Sequence, residues 1–371
     1  IINSLFTLNN RIKANRILLD PVAGIAAGLG GVCFIAIGAI IAFQVKINKK
    51  KHSIVRRIML FVMCLPAGML LAPLAPAGPG WYLGAIIVFS ALIWMLSILI
   101  AKKYPSIPVA EAGVVYAISA IVITVDALTG SWLCRMCLPS SYQLSGMRYF
   151  GTGNEYAAFA LAMAGCAILI LTNQKQRTLV TIITGIVMTF ALGWGSCGAN
   201  YGATVSSVVV FILLALASYE GKFSIMQAVG SVIVGMGLSF CFSEIDAHLS
   251  GSMGTHAGRI AQNMSSSGFG YLASMIMRKI AFNLKILIGP QTGMVLLGFI
   301  PFFMVWFYKI QNKVKITLAD NTNTMFGYKA ILVAVTAAFI LNDSGTVMAG
   351  IMLGIIISVL LYMLFEKEES I

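Results

Sequence analysis

Three short segments gather acids, amides and glycines in an otherwise apolar chain: Gly151-Thr-Gly-Asn-Glu155, Gly198-Ala-Asn-Tyr-Gly202 and Asn342-Asp-Ser-Gly345. Each stands directly before an apolar run, so each is expected at a helix N-terminus. Asn, Asp and Ser there accept hydrogen bonds from the first, otherwise unpaired N–H groups, and glycine permits tight turns and close backbone approach. Three such N-termini on one side would present donors and partial positive charge, which suits an anion. Arg148 precedes the first segment, and Arg259 lies in Thr255-His-Ala-Gly-Arg259. A guanidinium matches phosphate or carboxylate with two parallel hydrogen bonds. The expected substrate-binding residues are Arg148, Arg259, Asn154, Asn200, Asn342, Ser344 and Asp126, with the two arginines holding the anion. Glu155, Asp343 and His256 are the expected general bases. Ordinary helix capping explains any one of these segments; their joint occurrence beside Arg148 points to a shared, outward-open cavity.

Asp126, Glu155 and Asp343 also offer hard oxygen ligands of the kind Mg²⁺ takes. No short-spaced ligand motif accompanies them, and ion pairs with Arg148 or Arg259 are the alternative, so no metal ligand is assigned. Cys134-Arg-Met-Cys137 reads either as a disulfide or as two thiols.

The elements that position these residues are transmembrane helices. Of 371 residues, 59% are hydrophobic and only 10% charged, against about 45–50% and about 25% in soluble domains. The expected fold class is an all-α, polytopic integral membrane protein with about 11 transmembrane helices. Their cores are Pro21 to Val45, Ile58 to Leu74, Trp81 to Ile100, Ile107 to Leu128, Gly153 to Leu171, Leu179 to Gly193, Gly202 to Ser218, Ile225 to Phe242, Ile286 to Tyr308, Tyr328 to Leu341 and Thr346 to Phe365. The second, sixth and tenth are short enough to be tilted partners or half-helices. One long outer loop, 242–285, carries Glu244, Asp246, His248, His256 and Arg259. Within it, Leu272, Met275, Ile276, Ile280 and Leu284 fall on one helical face among Arg278, Lys279 and Lys285, as in an amphipathic helix at the membrane surface.

The net charge of +13 would suggest nucleic acid for a soluble protein, but here it sorts by loop. Fifteen Lys and Arg, from Lys46 to Lys367, fall in one alternate set of loops and nine in the other, with Lys329 left out. The first set is cytoplasmic by the positive-inside rule, which places the N-terminus and all three polar segments outside. Residues 1–20 then form an outer stretch that continues from a missing part, and 21–371 form a single transmembrane domain. Apart from Glu111, the inner side shows few candidate gating residues.

The ordered set Asp126-Ala-Leu-Thr-Gly-Ser131, Tyr142, Arg148-Tyr-Phe-Gly-Thr-Gly-Asn-Glu-Tyr156, Gly198-Ala-Asn-Tyr-Gly202, His256-Ala-Gly-Arg259 and Asn342-Asp-Ser-Gly345 resembles a group of polytopic membrane proteins of Gram-positive bacteria. The resemblance covers roughly Ile107 to Phe365. Members of that group are linked to extracytoplasmic alkaline-phosphatase-like domains, so the resemblance implies a bacterial cytoplasmic membrane and an outer catalytic domain or partner. It carries no activity over. Cys134 to Cys137 occupy a stretch that is more polar in that group.

The span plan and long outer loop are separately similar to O-antigen ligases and glycan polymerases, which act on polyprenyl-phosphate-linked sugars. An enzyme on such a donor, a transporter or flippase of a lipid-linked or small anion, and a scaffold for an outer catalytic domain are the three functions this pattern admits. In each, membrane lipids are partners and nucleic acid is not. A cysteine introduced at Lys50 should resist an impermeant thiol reagent added outside intact cells; its labelling would overturn the assigned orientation.

Overall fold

The structure, a computed structural model, describes residues 35–107, 109–140, 150–250, 276–288, 308–318 and 322–369, with single positions at 10, 13, 18, 270 and 274. Among the described residues there is no strand. The helices in chain order are α1 (35–43), α2 (Lys49–Leu71), α3 (Pro79–Ala101), α4 (Ala110–Leu128), α5 (Asn154–Leu171), α6 (Gln174–Gly193), α7 (Tyr201–Glu220), α8 (Ile225–Ser250), α9 (276–288), α10 (308–318), α11 (Thr322–Leu341) and α12 (Gly345–Glu369). Among the described residues nine helices, α2 to α8 with α11 and α12, are long and apolar enough to cross a membrane. The chain is an all-α, polytopic membrane protein.

Burial ranks these spans. In α5, 78% of the spanning window is buried, against 22% in α3 and 11% in α8. The cause lies in sequence: α5 reads Ala157, Ala158, Ala160, Ala162, Ala164, Gly165 and Ala167. Where lipid is as apolar as the protein, small residues let helices approach closely and gain packing contacts. A Cβ on Gly165 would stand only 2.9 Å from Ile331 of α11. Accordingly α5 packs against α4 and α12, while α7 packs against α6, α8 and α11. The large side chains exposed on α3 and α8, such as Trp81, Ile87, Leu99, Ile225 and Ile233, are those expected to face lipid.

The second, sixth and tenth expected spans are not short. α2, α6 and α11 run 23, 20 and 20 residues. Their polar first turns look like loop in sequence, yet they are helical. Asn48 caps α2 by accepting from Lys51 N–H at 2.9 Å, and Asn173 caps α6 by accepting from Gln176 N–H at 3.0 Å. The 242–285 loop also needs correction, because α8 runs to Ser250. Glu244, Asp246 and His248 therefore sit on helix, and the Asp246 carboxylate packs against Gly195.

The α5–α6 turn shows how a charge is kept at the end of a span. Arg177, 4% exposed, donates to the Leu169 carbonyl at 3.1 Å, the Thr172 carbonyl at 2.9 Å and Thr324 Oγ1 at 3.0 Å. The first two oxygens belong to the C-terminal end of α5, where a cation complements the helix dipole. The third ties the turn to α11. Arg177→Met keeps the length but leaves these acceptors without their donor. It should lower stability by about 3 kcal/mol, the scale of lost hydrogen bonds to a charged group. Denaturant unfolding in micelles reads this, and an unchanged midpoint would refute the role.

Candidate functional site

The first turns of α5, α7 and α12 meet at one end of the bundle, joined by side-chain amides. Asn200 accepts from Ala203 N–H at 3.0 Å, capping α7. Its Nδ2 donates to the Thr152 carbonyl at 3.0 Å and to Asn154 Oδ1 at 2.8 Å. Asn154 Nδ2 in turn donates to Ser344 Oγ at 2.7 Å. One chain of bonds thus runs from α7 through α5 to the turn before α12. Asn342 closes it from the other side, donating to the Ala338 carbonyl at 3.2 Å and Ser206 Oγ at 3.4 Å. Asn154, Asn200 and Asn342 are all buried.

The backbone fits this network only through unusual conformations. Gly151 has φ +85° and lies against the Gly198 carbonyl, which accepts from Thr152 N–H at 2.7 Å. Ala199 (φ +46°) and Ser131 (φ +59°) occupy the left-handed region without being glycine. Such strain persists only where surroundings over-determine it. The Ala199 turn is fixed by Gly198 N–H to the Ala191 carbonyl and Asn200 N–H to the Leu192 carbonyl, both 2.8 Å. Ser131 is fixed by its N–H on the Asp126 carbonyl and its Oγ against Thr152 Oγ1, both 2.7 Å.

Glu155, the second residue of α5, is 7% exposed, and its Oε2 has no hydrogen-bond partner among the described residues. Asp126 and Asp343 are engaged elsewhere. The Asp126 carboxylate accepts Leu133 N–H at 2.7 Å and Cys134 N–H at 2.9 Å, holding up the 131–140 loop. Asp343 is exposed and pairs with Lys279 at 3.3 Å in place of the expected arginines. Arg148, His256 and Arg259 lie outside the described residues.

Among the described residues the amides of the three segments form an interlocked polar layer. Its buried amides satisfy one another's hydrogen bonds, as polar groups taken out of water require. Capping also differs from expectation. Among the described residues, Asn200 caps its own helix with its side chain, whereas Gly153 cannot; the first turn of α12 is met from outside by Asn283 of α9, which accepts from Thr346 N–H at 3.1 Å. No three His, Cys, Asp or Glu of the described residues cluster as metal ligands, so Asp126, Glu155 and Asp343 do not assemble the Mg²⁺ set. Cys134 and Cys137 are buried thiols with no disulfide between them; Cys137 Sγ donates to the Cys134 carbonyl at 3.1 Å. Burial pushes the Cys137 thiol well above its ordinary range, which suppresses the reactive thiolate.

Sequence reasoning missed Thr152, Ser140, Lys279 and Asn283. Asn283 left a signal: it follows Ile280 by three residues and so falls on the apolar face of the amphipathic helix. Fully buried, it also donates to the Phe339 and Asn342 carbonyls at 2.8 and 2.9 Å, while Lys279 donates to the Leu341 carbonyl at 2.8 Å. α9 is thereby docked on the α11–α12 corner.

The opposite end carries the basic loops and a second network. Arg56 of α2 bridges Glu111 of α4 at 3.3 Å and Glu366 of α12 at 3.2 Å. Tyr362 donates to Glu111 at 3.1 Å.

No protein family, curated protein or solved structure matches the chain.

Asn200→Ala removes a cap and two donors, whereas Asn154→Ala removes one donor and one acceptor. Asn200→Ala should be the costlier, and the double variant should lose less than the sum of the singles by about 1 kcal/mol. Unfolding midpoints of the three proteins check this; strict additivity would dissolve the amide chain as a unit.

Proposed function

We propose that the chain is an enzyme of a bacterial cytoplasmic membrane that transfers a glycan or similar group from a polyprenyl-phosphate-linked donor to an acceptor hydroxyl. The polar end is its outer face. The observation that carries the reading is Glu155: a buried carboxylate with a free oxygen among the described residues, at the end of its span. α5 is 18 residues long, about 27 Å at 1.5 Å per residue, and Glu155 sits in its first turn. A coupling acid for alternating access belongs near the bilayer midplane; an acid at headgroup depth suits chemistry on a lipid-linked phosphate.

In this mechanism Glu155 accepts the acceptor's hydroxyl proton as that oxygen bonds to the transferred carbon. The bond from that carbon to the phosphate oxygen breaks, and its electron pair stays on the phosphate. Arg148 and Arg259 hold the phosphate and stabilise the charge that develops there. His256 is the alternative base. Asp343, paired with Lys279 and solvated, has a weaker claim to that role than Glu155.

One observation favours transport as a second reading. The Arg56–Glu111–Glu366–Tyr362 network ties α2, α4 and α12 at the basic end, as an inner gate would. Counterflow in proteoliposomes without any acceptor separates the two, since only a carrier supports it.

Glu155→Gln should leave polyprenyl-phosphate binding intact and cut turnover about 10²- to 10⁴-fold, the scale of general-base loss. Arg148→Lys should weaken binding although charge is kept, and Arg148→Ala should weaken it further. Equal affinity in wild type and both arginine variants would remove the anion site and leave a scaffold for an outer catalytic domain.

A further inference from the structure

Where α6 begins and α7 ends, the surface holds a groove of about 480 Å³, walled by Gln174, Lys175, Thr178, Leu179 and Ile182 of α6 and by Tyr219 of α7. At 3.6 residues per turn the five α6 positions share one face. Arg177 lies on the opposite face, where its guanidinium is spent on the Leu169 and Thr172 carbonyls and on Thr324. Lys175 is therefore the cation of the groove, and it makes no ion pair among the described residues. Just beyond Tyr219, the charges of Glu220 and Lys222 offset one another. The lining changes with depth. Gln174, Lys175 and Thr178 stand at the start of the span, and Leu179 and Ile182 follow. Ile182 is about 10 Å deeper than Lys175 at 1.5 Å per residue. Leu179, Ile182 and Tyr219 are all exposed.

We infer that this groove binds an anionic phospholipid of the leaflet at the basic loops, with the lipid phosphate on Lys175 and an acyl chain along Leu179 and Ile182. The order of the lining selects the occupant. A water-soluble anion gains nothing from Leu179 and Ile182, and a plain hydrocarbon chain gains nothing from Lys175. A lipid carries both parts, and a bilayer presents them at these relative depths. The Thr178 and Tyr219 hydroxyls and the Gln174 amide supply further donors for phosphate oxygens. A zwitterionic headgroup brings its own ammonium close to Lys175, so a headgroup of net negative charge is preferred. Because both helices wall the groove, its occupant ties the start of α6 to the end of α7, beside the turn that Arg177 holds. The site lies at the opposite end of the bundle from the amide layer, and it does not depend on the transfer reading.

The test places the full chain in phosphatidylcholine nanodiscs with a phosphatidylglycerol that carries a photoreactive diazirine near the head of one acyl chain. Peptide mapping locates the adducts. In wild type they should concentrate on the α6 and α7 peptides that hold Leu179, Ile182 and Tyr219. Unlabelled phosphatidylglycerol should compete, and a diazirine phosphatidylcholine should show no such preference. Lys175→Ala should raise the lipid concentration for half-labelling about fivefold, the worth of one basic residue at an anionic membrane surface. Lys175→Arg should retain it. Lys175 is exposed, so its replacement should leave the unfolding midpoint in lipid-free micelles unchanged. Ile182→Trp should lower labelling at Tyr219 by filling the apolar end with the charge intact. Adducts spread evenly over the lipid-facing sides of α3 and α8 overturn the site, as does undiminished labelling in Lys175→Ala. Equal labelling by the phosphatidylcholine analogue overturns the preference for an anionic head. Displacement by inorganic phosphate overturns the lipid in favour of a free anion.

Discussion

A backbone N–H or C=O left without a partner in hydrocarbon costs several kcal/mol, and the polar end of this bundle interrupts three helices together. The Asn200 amide resolves that constraint from a single side chain. Its oxygen satisfies the N-terminus of α7, and its two N–H groups reach the Thr152 carbonyl and Asn154. Valine or leucine would fill the space but leave each of these groups unpaired. The left-handed turn at Ala199 follows from the same demand, because the chain must double back onto α6 to bring Asn200 into place.

The network in turn depends on how closely the helices approach. α5 is central because its alanines and Gly165 allow α4, α11 and α12 to close on it. A bulkier helix would separate the first turns of α5 and α12, and the 2.7 Å bond from Asn154 to Ser344 would not span the gap. Small residues along the span and amides at its end therefore act together: the former set the spacing that the latter require.

The two ends solve different problems. At the basic end the charges pair with one another, Arg56 with two carboxylates, or rest on helix carbonyls, as Arg177 does. At the polar end the amides pair, and Glu155 Oε2 has no hydrogen-bond partner among the described residues. A buried carboxylate oxygen without such a partner among the described residues is costly, and that imbalance is what supports the proposed role of Glu155.

Composition and loop charge determined that this is a polytopic helical membrane protein and where most of its spans run, because hydrocarbon admits little besides continuous helix. The three polar segments were legible as a set for the same reason: polar residues beside spans need a cause. Sequence also picked out Glu155, Asn154, Asn200, Asn342 and Ser344. It did not separate their roles, because a carboxylate that holds up a loop, as Asp126 does, has the same local signature as one left free. The length of α2, α6 and α11 was obscured by polar first turns, whose helicity depends on capping by Asn48 and Asn173 and on neighbours. The partners of Asn283 emerged only from tertiary structure, since they are helix ends 56 to 63 positions away along the chain. Hydrogen bonds act over about 3 Å of space, and only the packed bundle decides which residues share it.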